Sequence, residues 1–143
     1  MPIASIANYA KRNVLIVEDD EDDVFLLRRA MNIVSMQDNI EVNVTHMANG
    51  LHAISAVVVE DLKSHNYDIL IVDLNMPIMD GLRFLHILRE EFRFSTTRAV
   101  MLTTSNQPPI HAAARKAGAD DVFVKGDVHD DLVNIVRKIL VVD

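Results

Sequence analysis

The chain alternates short apolar runs with longer stretches in which apolar residues recur every three or four positions. Val14-Leu15-Ile16-Val17 and Ile69-Leu70-Ile71-Val72 are unbroken and rich in branched side chains. Such runs fit strands covered on both faces of a parallel sheet. Strands are predicted at about Asn13–Val17, Glu41–His46, Asp68–Val72, Ala99–Leu102 and Asp121–Val124. In the second of these, Val42 and Val44 alternate with polar residues, which predicts a less buried strand at a sheet edge.

Between the strands the period becomes helical. The first helix is expected from about Asp20 to Val34, with Asp20 as N-cap, Asp23 completing a capping-box-like pair, and Val24, Leu27, Met31 and Val34 facing inward. Asn49-Gly50 turns into a second helix whose inner stripe is read as Ile54, Val58 and Leu62. A loop from Leu74 to Gly81 leads to a third, with Leu82, Leu85, Leu88 and Phe92 inward. Pro108-Pro109 opens the fourth helix and Gly118 closes it. The fifth runs from about Asp130 to Val141, with Leu132, Ile135, Val136, Ile139 and Leu140 on one face. Repeated strand–helix units imply an α/β fold, a parallel sheet with helices on both faces and right-handed crossovers. The expected organisation is a tail at residues 1–12 and one domain at 13–143, with no separate output domain.

Composition narrows the function classes. A chain of 143 residues, half of them hydrophobic, can bury one substantial core. A formal net charge of −7 argues against a general binder of nucleic acid or membrane surfaces. The absence of cysteine removes disulfides, thiolate metal sites and cysteine nucleophiles. Residues 1–12 lack the apolar core of a signal peptide, and no apolar run approaches membrane-spanning length, so a cytoplasmic location is expected.

The chemistry gathers at strand ends. Glu18-Asp19-Asp20 follows the first run at once, and Asp73 follows the third strand. Parallel strands bring these carboxylates to one edge, where open α/β sheets bind ligands. Carboxylates sharing a pocket need protons or a cation, and an all-oxygen set suits a hard ion such as Mg²⁺. Thr103 and Lys125 end the fourth and fifth strands. Three acids, a hydroxyl and an ammonium suit phosphoryl transfer, with Asp73 as nucleophile, Lys125 pairing a phosphoryl oxygen and Thr103 donating to another.

In order and placement, Val14-Leu15-Ile16-Val17-Glu18-Asp19, Ile71-Val72-Asp73-Leu74-Asn75-Met76-Pro77, Asp80-Gly81, Met101-Leu102-Thr103 and Val124-Lys125 resemble the CheY-like receiver domain of two-component response regulators. The resemblance spans about Asn13 to Leu140, and the acidic start with Asp-Leu-Asn-Met-Pro looks most like the small phytochrome-associated, stand-alone type. It implies a flavodoxin-like, doubly wound (βα)₅ fold of strand order 2-1-3-4-5. It implies a signalling switch that catalyses only its own phosphorylation and dephosphorylation. Asp73 would be the phospho-acceptor, Thr103 the switch hydroxyl and Lys125 its phosphoryl-pairing lysine. Mg²⁺ would be held by Glu18, Asp19, Asp73 and the backbone carbonyl of Asn75. The implied donor is a sensor histidine kinase or histidine phosphotransfer protein, and the output a downstream protein target whose identity stays open. Neither nucleic acid nor membrane is an expected partner, and a homodimer is left open.

Two positions depart from the family pattern. Gly126 stands where proline usually follows the lysine, and Val122 where an aromatic switch residue usually stands, with Phe123 one place later and so on the opposite strand face. These departures motivate the rival reading, a pseudo-receiver that binds partners without phosphorylation. A haloacid-dehalogenase-type phosphatase would want an acid two residues after the nucleophile, where Asn75 stands. The glycine fingerprints of P-loop and dinucleotide sites are missing. Glu21, Asp22 and Asp23 are read as a solvated acidic helix start favoured by the helix dipole. His46, His52, His65, His86, His111 and His129 are scattered and read as surface or partly buried residues rather than a zinc site.

Overall fold

The computed structural model describes residues 10–63, 65–74, 76, 78–91, 97–126 and 129–141. The strands are β1 (Ala10–Val17), β2 (Ile40–Met47), β3 (Ile69–Asp73), β4 (Arg98–Thr103) and β5 (Asp121–Val124). They alternate with α1 (Glu21–Asp38), α2 (Gly50–Leu62), α3 (Gly81–Glu91), α4 (Pro108–Ala117) and α5 (His129–Leu140). All strand pairs are parallel, in the order β2-β1-β3-β4-β5, so β2 is an edge as its alternation predicts.

The sheet divides the core. Val14, Ile16, Ile69, Ile71, Val100 and Leu102 point to the face covered by α1 and α5. Leu15, Val17, Leu70, Val72, Ala99 and Met101 point to the face covered by α2, α3 and α4. The unbroken runs are therefore needed on both sides, and Val14 to Val17 are all 0% exposed. The apolar stripes of α1 (Val24, Leu27, Met31, Val34) and α5 (Val136, Ile139, Leu140) are buried as their spacing requires.

Three expectations need correction. β1 begins at Ala10, not Asn13: Ala10 pairs with Ile40, and the Arg12 guanidinium caps α5 by donating to the Leu140 carbonyl at 3.1 Å. Residues 10–12 thus belong to the domain rather than to a tail. In α2 the buried positions are Ala53 and Val57, whereas Ile54 is half-buried and Leu62 is 80% exposed. Leu51, Ile54, Val57, Val58 and Val59 make this helix apolar on most sides, so periodicity cannot select its inner phase. In α3, Phe84 joins Leu85 and Leu88 inside, Leu82 packs at the margin, and Phe92 lies outside the described residues. Gly118 ends α4 at φ 122°, a backbone conformation that favours glycine.

Candidate functional site

The acidic edge forms because β1, β3 and β5 end together. Glu18 is 2% exposed, Asp73 half-buried and Asp19 exposed, and one carboxylate oxygen from each lies within 4.8 Å of the others. Asp20 turns away to cap α1, accepting from the Asp22 and Asp23 backbone N–H groups. Lys125 enters from the end of β5. Its Nζ donates to Glu18 Oε1 at 3.0 Å, to Asp73 Oδ1 at 3.1 Å and to Asp23 Oδ2 at 3.1 Å.

Asp23 is the residue that sequence reasoning placed wrongly. Its partly exposed carboxylate is a third anion on Lys125 rather than a free, solvated charge. Residue 23 lies one helical turn beyond residues 19 and 20, which brings its side chain back over the site. Helical spacing from Asp19 was the signal available, and the generic acidic first turn masked it.

One ammonium cannot satisfy this many acids. Burial raises the Glu18 carboxyl, and contact with the Asp73 and Asp23 carboxylates raises it further, to about 9 despite the opposing pull of Lys125. Burial would also raise Asp23, but hydrogen bonds from Glu18 and Lys125 outweigh it and hold that carboxyl below its usual range. Burial would lower Lys125, yet Glu18 and Asp73 hold its proton more tightly than normal. Glu18 Oε2 is buried without a hydrogen-bond donor. Facing other carboxylates, such an oxygen needs a proton or a cation. That orphaned atom, with the clustered hard oxygens, fits a divalent ion such as Mg²⁺.

The backbone around the acids is tightly held. Glu18 N–H donates to the Met47 carbonyl at 3.1 Å, and the His46 Nε2 donates to the Glu18 carbonyl at 2.7 Å. Lys125 N–H donates to the Thr103 carbonyl at 2.7 Å. Thr103 itself is buried at the end of β4, where its hydroxyl accepts from the Ser105 N–H at 3.1 Å. Of the neighbouring hydroxyls, Thr104 is exposed and Ser105 Oγ accepts from Gln107 N–H. Asn75 lies outside the described residues. The Lys125–Gly126 peptide is trans.

A model of the response regulator receiver domain matches residues 14–137. The chain belongs to that family. Receiver domains are signalling switches rather than turnover enzymes. This receiver is 28% identical over 129 residues to response regulator ArlR of Staphylococcus haemolyticus, covering 90% of this chain and 52% of that protein. It is 27% identical to transcriptional regulatory protein SrrA of Staphylococcus aureus, over 90% of this chain and 48% of that one. The chain thus spans about half the length of the curated relatives it matches. Among solved structures, the chemotaxis response regulator CheY4 of Vibrio cholerae superposes with a TM-score of 0.69 at 26% identity, covering 93% of this chain and 100% of that one. The phosphorylated cyanobacterial phytochrome response regulator RcpA gives a TM-score of 0.78 at 21% identity, with 91% of each chain covered. The Mn²⁺-bound response regulator Rcp1 gives 0.74 at 22%, covering 90% of this chain and 91% of that one. At those identities the last two likenesses speak to fold. Among the described residues, no helix of the receiver is long and apolar enough to cross a membrane.

Proposed function

We propose that this receiver accepts a phosphoryl group on Asp73 from a phosphohistidine of a sensor histidine kinase or histidine phosphotransfer protein, and so switches its binding to a downstream protein. The observation that carries the reading is Lys125 Nζ held at once by Glu18 and Asp73 at the joined ends of β1, β3 and β5. An Asp73 oxygen attacks phosphorus, the new O–P bond forms as the N–P bond breaks, and the histidine nitrogen leaves with the electron pair. Lys125 pairs with the attacking carboxylate and meets the charge that the phosphoryl oxygens bring. Thr103 retains a hydroxyl proton to donate to the arriving group, because it acts as acceptor toward Ser105. Glu18, Asp19 and Asp73, with the Asn75 carbonyl that the family resemblance adds, would hold a Mg²⁺ that would supply the remaining charge neutralisation. Hydrolysis of the acyl phosphate resets the switch.

Exposed apolar residues on α1 support the partner part of this reading. Leu26 on α1 is 38% exposed and lines a small cavity with Asp23, Leu27, Lys125 and Leu132, and its chain neighbour Phe25 is 63% exposed. An apolar rim beside a charged site suits a donor helix that carries the phosphohistidine on its surface. Incubation with acetyl phosphate and Mg²⁺ should give a hydroxylamine-sensitive acyl phosphate, lost in Asp73→Asn. Label that persists in this variant assigns another acceptor, and no label in the wild type leaves the phosphorylation-independent module.

A further inference from the structure

Thr103 ends β4 five residues before α4 begins, and the strand position on the α4 side where the family pattern has an aromatic is Val122. Val122 lies on the face covered by α2, α3 and α4, while Phe123 packs on the opposite face with α1 and α5. A different connection is present. The Thr103 hydroxyl accepts from the Ser105 N–H at 3.1 Å. The Ser105 carbonyl accepts from His111 Nε2 at 2.7 Å. A carbonyl has no proton to give, so Nε2 carries the hydrogen. His111 lies in the first turn of α4.

The first turn of α4 has few other fastenings. Gln107, at its N-cap, makes no side-chain capping bond, and Pro108 and Pro109 bring no N–H to the first turn. Ala114 is the buried residue of the helix, and Ala112 and Ala113 are exposed. Ser105 grips the helix start twice, through its carbonyl to His111 and through Oγ, which accepts from the Gln107 N–H at 3.2 Å.

We infer that His111 is the positioning residue that couples the acceptor pocket to α4: a hydrogen-bonded line runs Thr103–Ser105–His111 and moves the helix start when Thr103 moves. The inference rests on Asp73 as acceptor. A threonine hydroxyl has one proton and two lone pairs, so Thr103 can donate to a phosphoryl oxygen while still accepting from Ser105. Drawing Thr103 toward Asp73 then draws Ser105, and the His111 bond passes that displacement to the uncapped start of α4, while Arg89 and Arg115 hold its far end through the Gly118 and Asp120 carbonyls.

The test compares wild type, His111→Ala and His111→Gln with and without acetyl phosphate and Mg²⁺. Asp73 labelling is read by mass spectrometry, and amide exchange is read over residues 106–117. The His111 side-chain Nε2–H resonance is followed in the wild type. Expected is equal labelling in all three proteins, a phosphorylation-dependent exchange change in the wild type, and loss of most of that change in His111→Ala. His111→Gln, which keeps an N–H donor, should retain part of it, and the wild-type Nε2–H resonance should shift on phosphorylation. A full exchange change in labelled His111→Ala, or an unmoved Nε2–H resonance, overturns the relay. A fall in labelling that parallels the lost exchange change also overturns it, because His111 would then be supporting the acceptor site itself. Absence of label in the wild type overturns the acceptor reading and takes the relay with it.

Discussion

Gly81 presses directly on Asp73. A Cβ at Gly81 would lie 2.4 Å from the Asp73 backbone carbonyl oxygen, and the Gly81 N–H donates to the Leu74 carbonyl at 2.9 Å. The start of α3 is therefore seated against the backbone of the candidate acceptor, and no side chain fits between them. Gly81→Ala should cost about 1–3 kcal/mol of stability, the range for overpacking a tight site. It should also slow labelling of Asp73 by acetyl phosphate. Urea unfolding and a labelling time course measure the two effects; an unchanged midpoint and rate would mean that the loop yields freely.

The runs at residues 14–17 and 69–72 were legible because a central parallel strand needs apolar residues on both faces, which leaves no ambiguity of phase. The meeting of Glu18, Asp19, Asp73 and Lys125 at one edge followed from which strand each residue ends, and Thr103 ends the strand between β3 and β5. Asp23 was not legible in that way. It reaches the site from a helix, and six consecutive acids look alike along the chain although Asp20 caps, Asp19 is exposed and Glu18 is buried. The roles of His46 and His111 were hidden for a similar reason: each is defined by a carbonyl partner far along the chain or across a turn, and a lone histidine carries no spacing signal.

Lys125 is the cation that holds the acids of the site. Lys125→Met would leave Glu18, Asp23 and Asp73 facing each other without their shared ammonium. Breaking a buried pair by removing one partner typically costs 3–5 kcal/mol; with Lys125 at 18% side-chain exposure, about 2–3 kcal/mol is expected here at neutral pH. Saturating Mg²⁺ should restore part of the loss, and thermal unfolding with and without the ion reads this. Equal destabilisation under both conditions would argue that no cation enters among the carboxylates.

Ile78 carries strain in the loop that joins Asp73 to Gly81. Its φ is 70° and it is 79% exposed, a backbone conformation that a β-branched residue rarely adopts and that burial does not reward here. Ile78→Asn should stabilise the protein by about 1 kcal/mol, since asparagine tolerates the left-handed region. The check is a shift of the urea midpoint at unchanged slope. A loss of stability would mean that the isoleucine side chain contributes contacts that outweigh its backbone strain.

Substituting Phe25 tests whether partner recognition can be separated from chemistry. It is 63% exposed on α1, two residues beyond Asp23. Phe25→Ala should leave labelling by acetyl phosphate unchanged, because a small donor needs no apolar foothold. Phosphotransfer from a purified phosphorylated kinase or phosphotransfer protein should slow by about tenfold or more, as for truncation of an aromatic interface anchor. Parallel slowing with both donors would place Phe25 in the support of the acceptor site instead.

Glu18 links stability to proton uptake and, at the proposed site, to metal binding. In the metal-free protein its carboxyl is raised from 4.5 to about 9, chiefly by burial. Between those values the folded protein binds a proton that the unfolded chain has lost, so stability falls as pH rises. The contribution from this group is complete below about 4.5 and gone above about 9. Asp23, held below its usual range, acts in the opposite sense and only in acid: its contribution is lost as pH drops through its lowered value. Across neutral pH the Glu18 slope should therefore dominate. A divalent ion needs the carboxylate form, so binding must expel this proton. Mg²⁺ affinity should strengthen steadily from about pH 6 to about pH 9, and the binding heat should vary with buffer ionisation enthalpy as the proton is taken up. Saturating Mg²⁺ should flatten the fall in stability over the same interval, because the ion takes the place of the proton beside Glu18 Oε2. In Glu18→Gln both the proton release and the slope should vanish together. Mg²⁺ affinity that is independent of pH in the wild type would show that Glu18 is already ionised in the metal-free protein, with Lys125 alone sufficient to hold its charge.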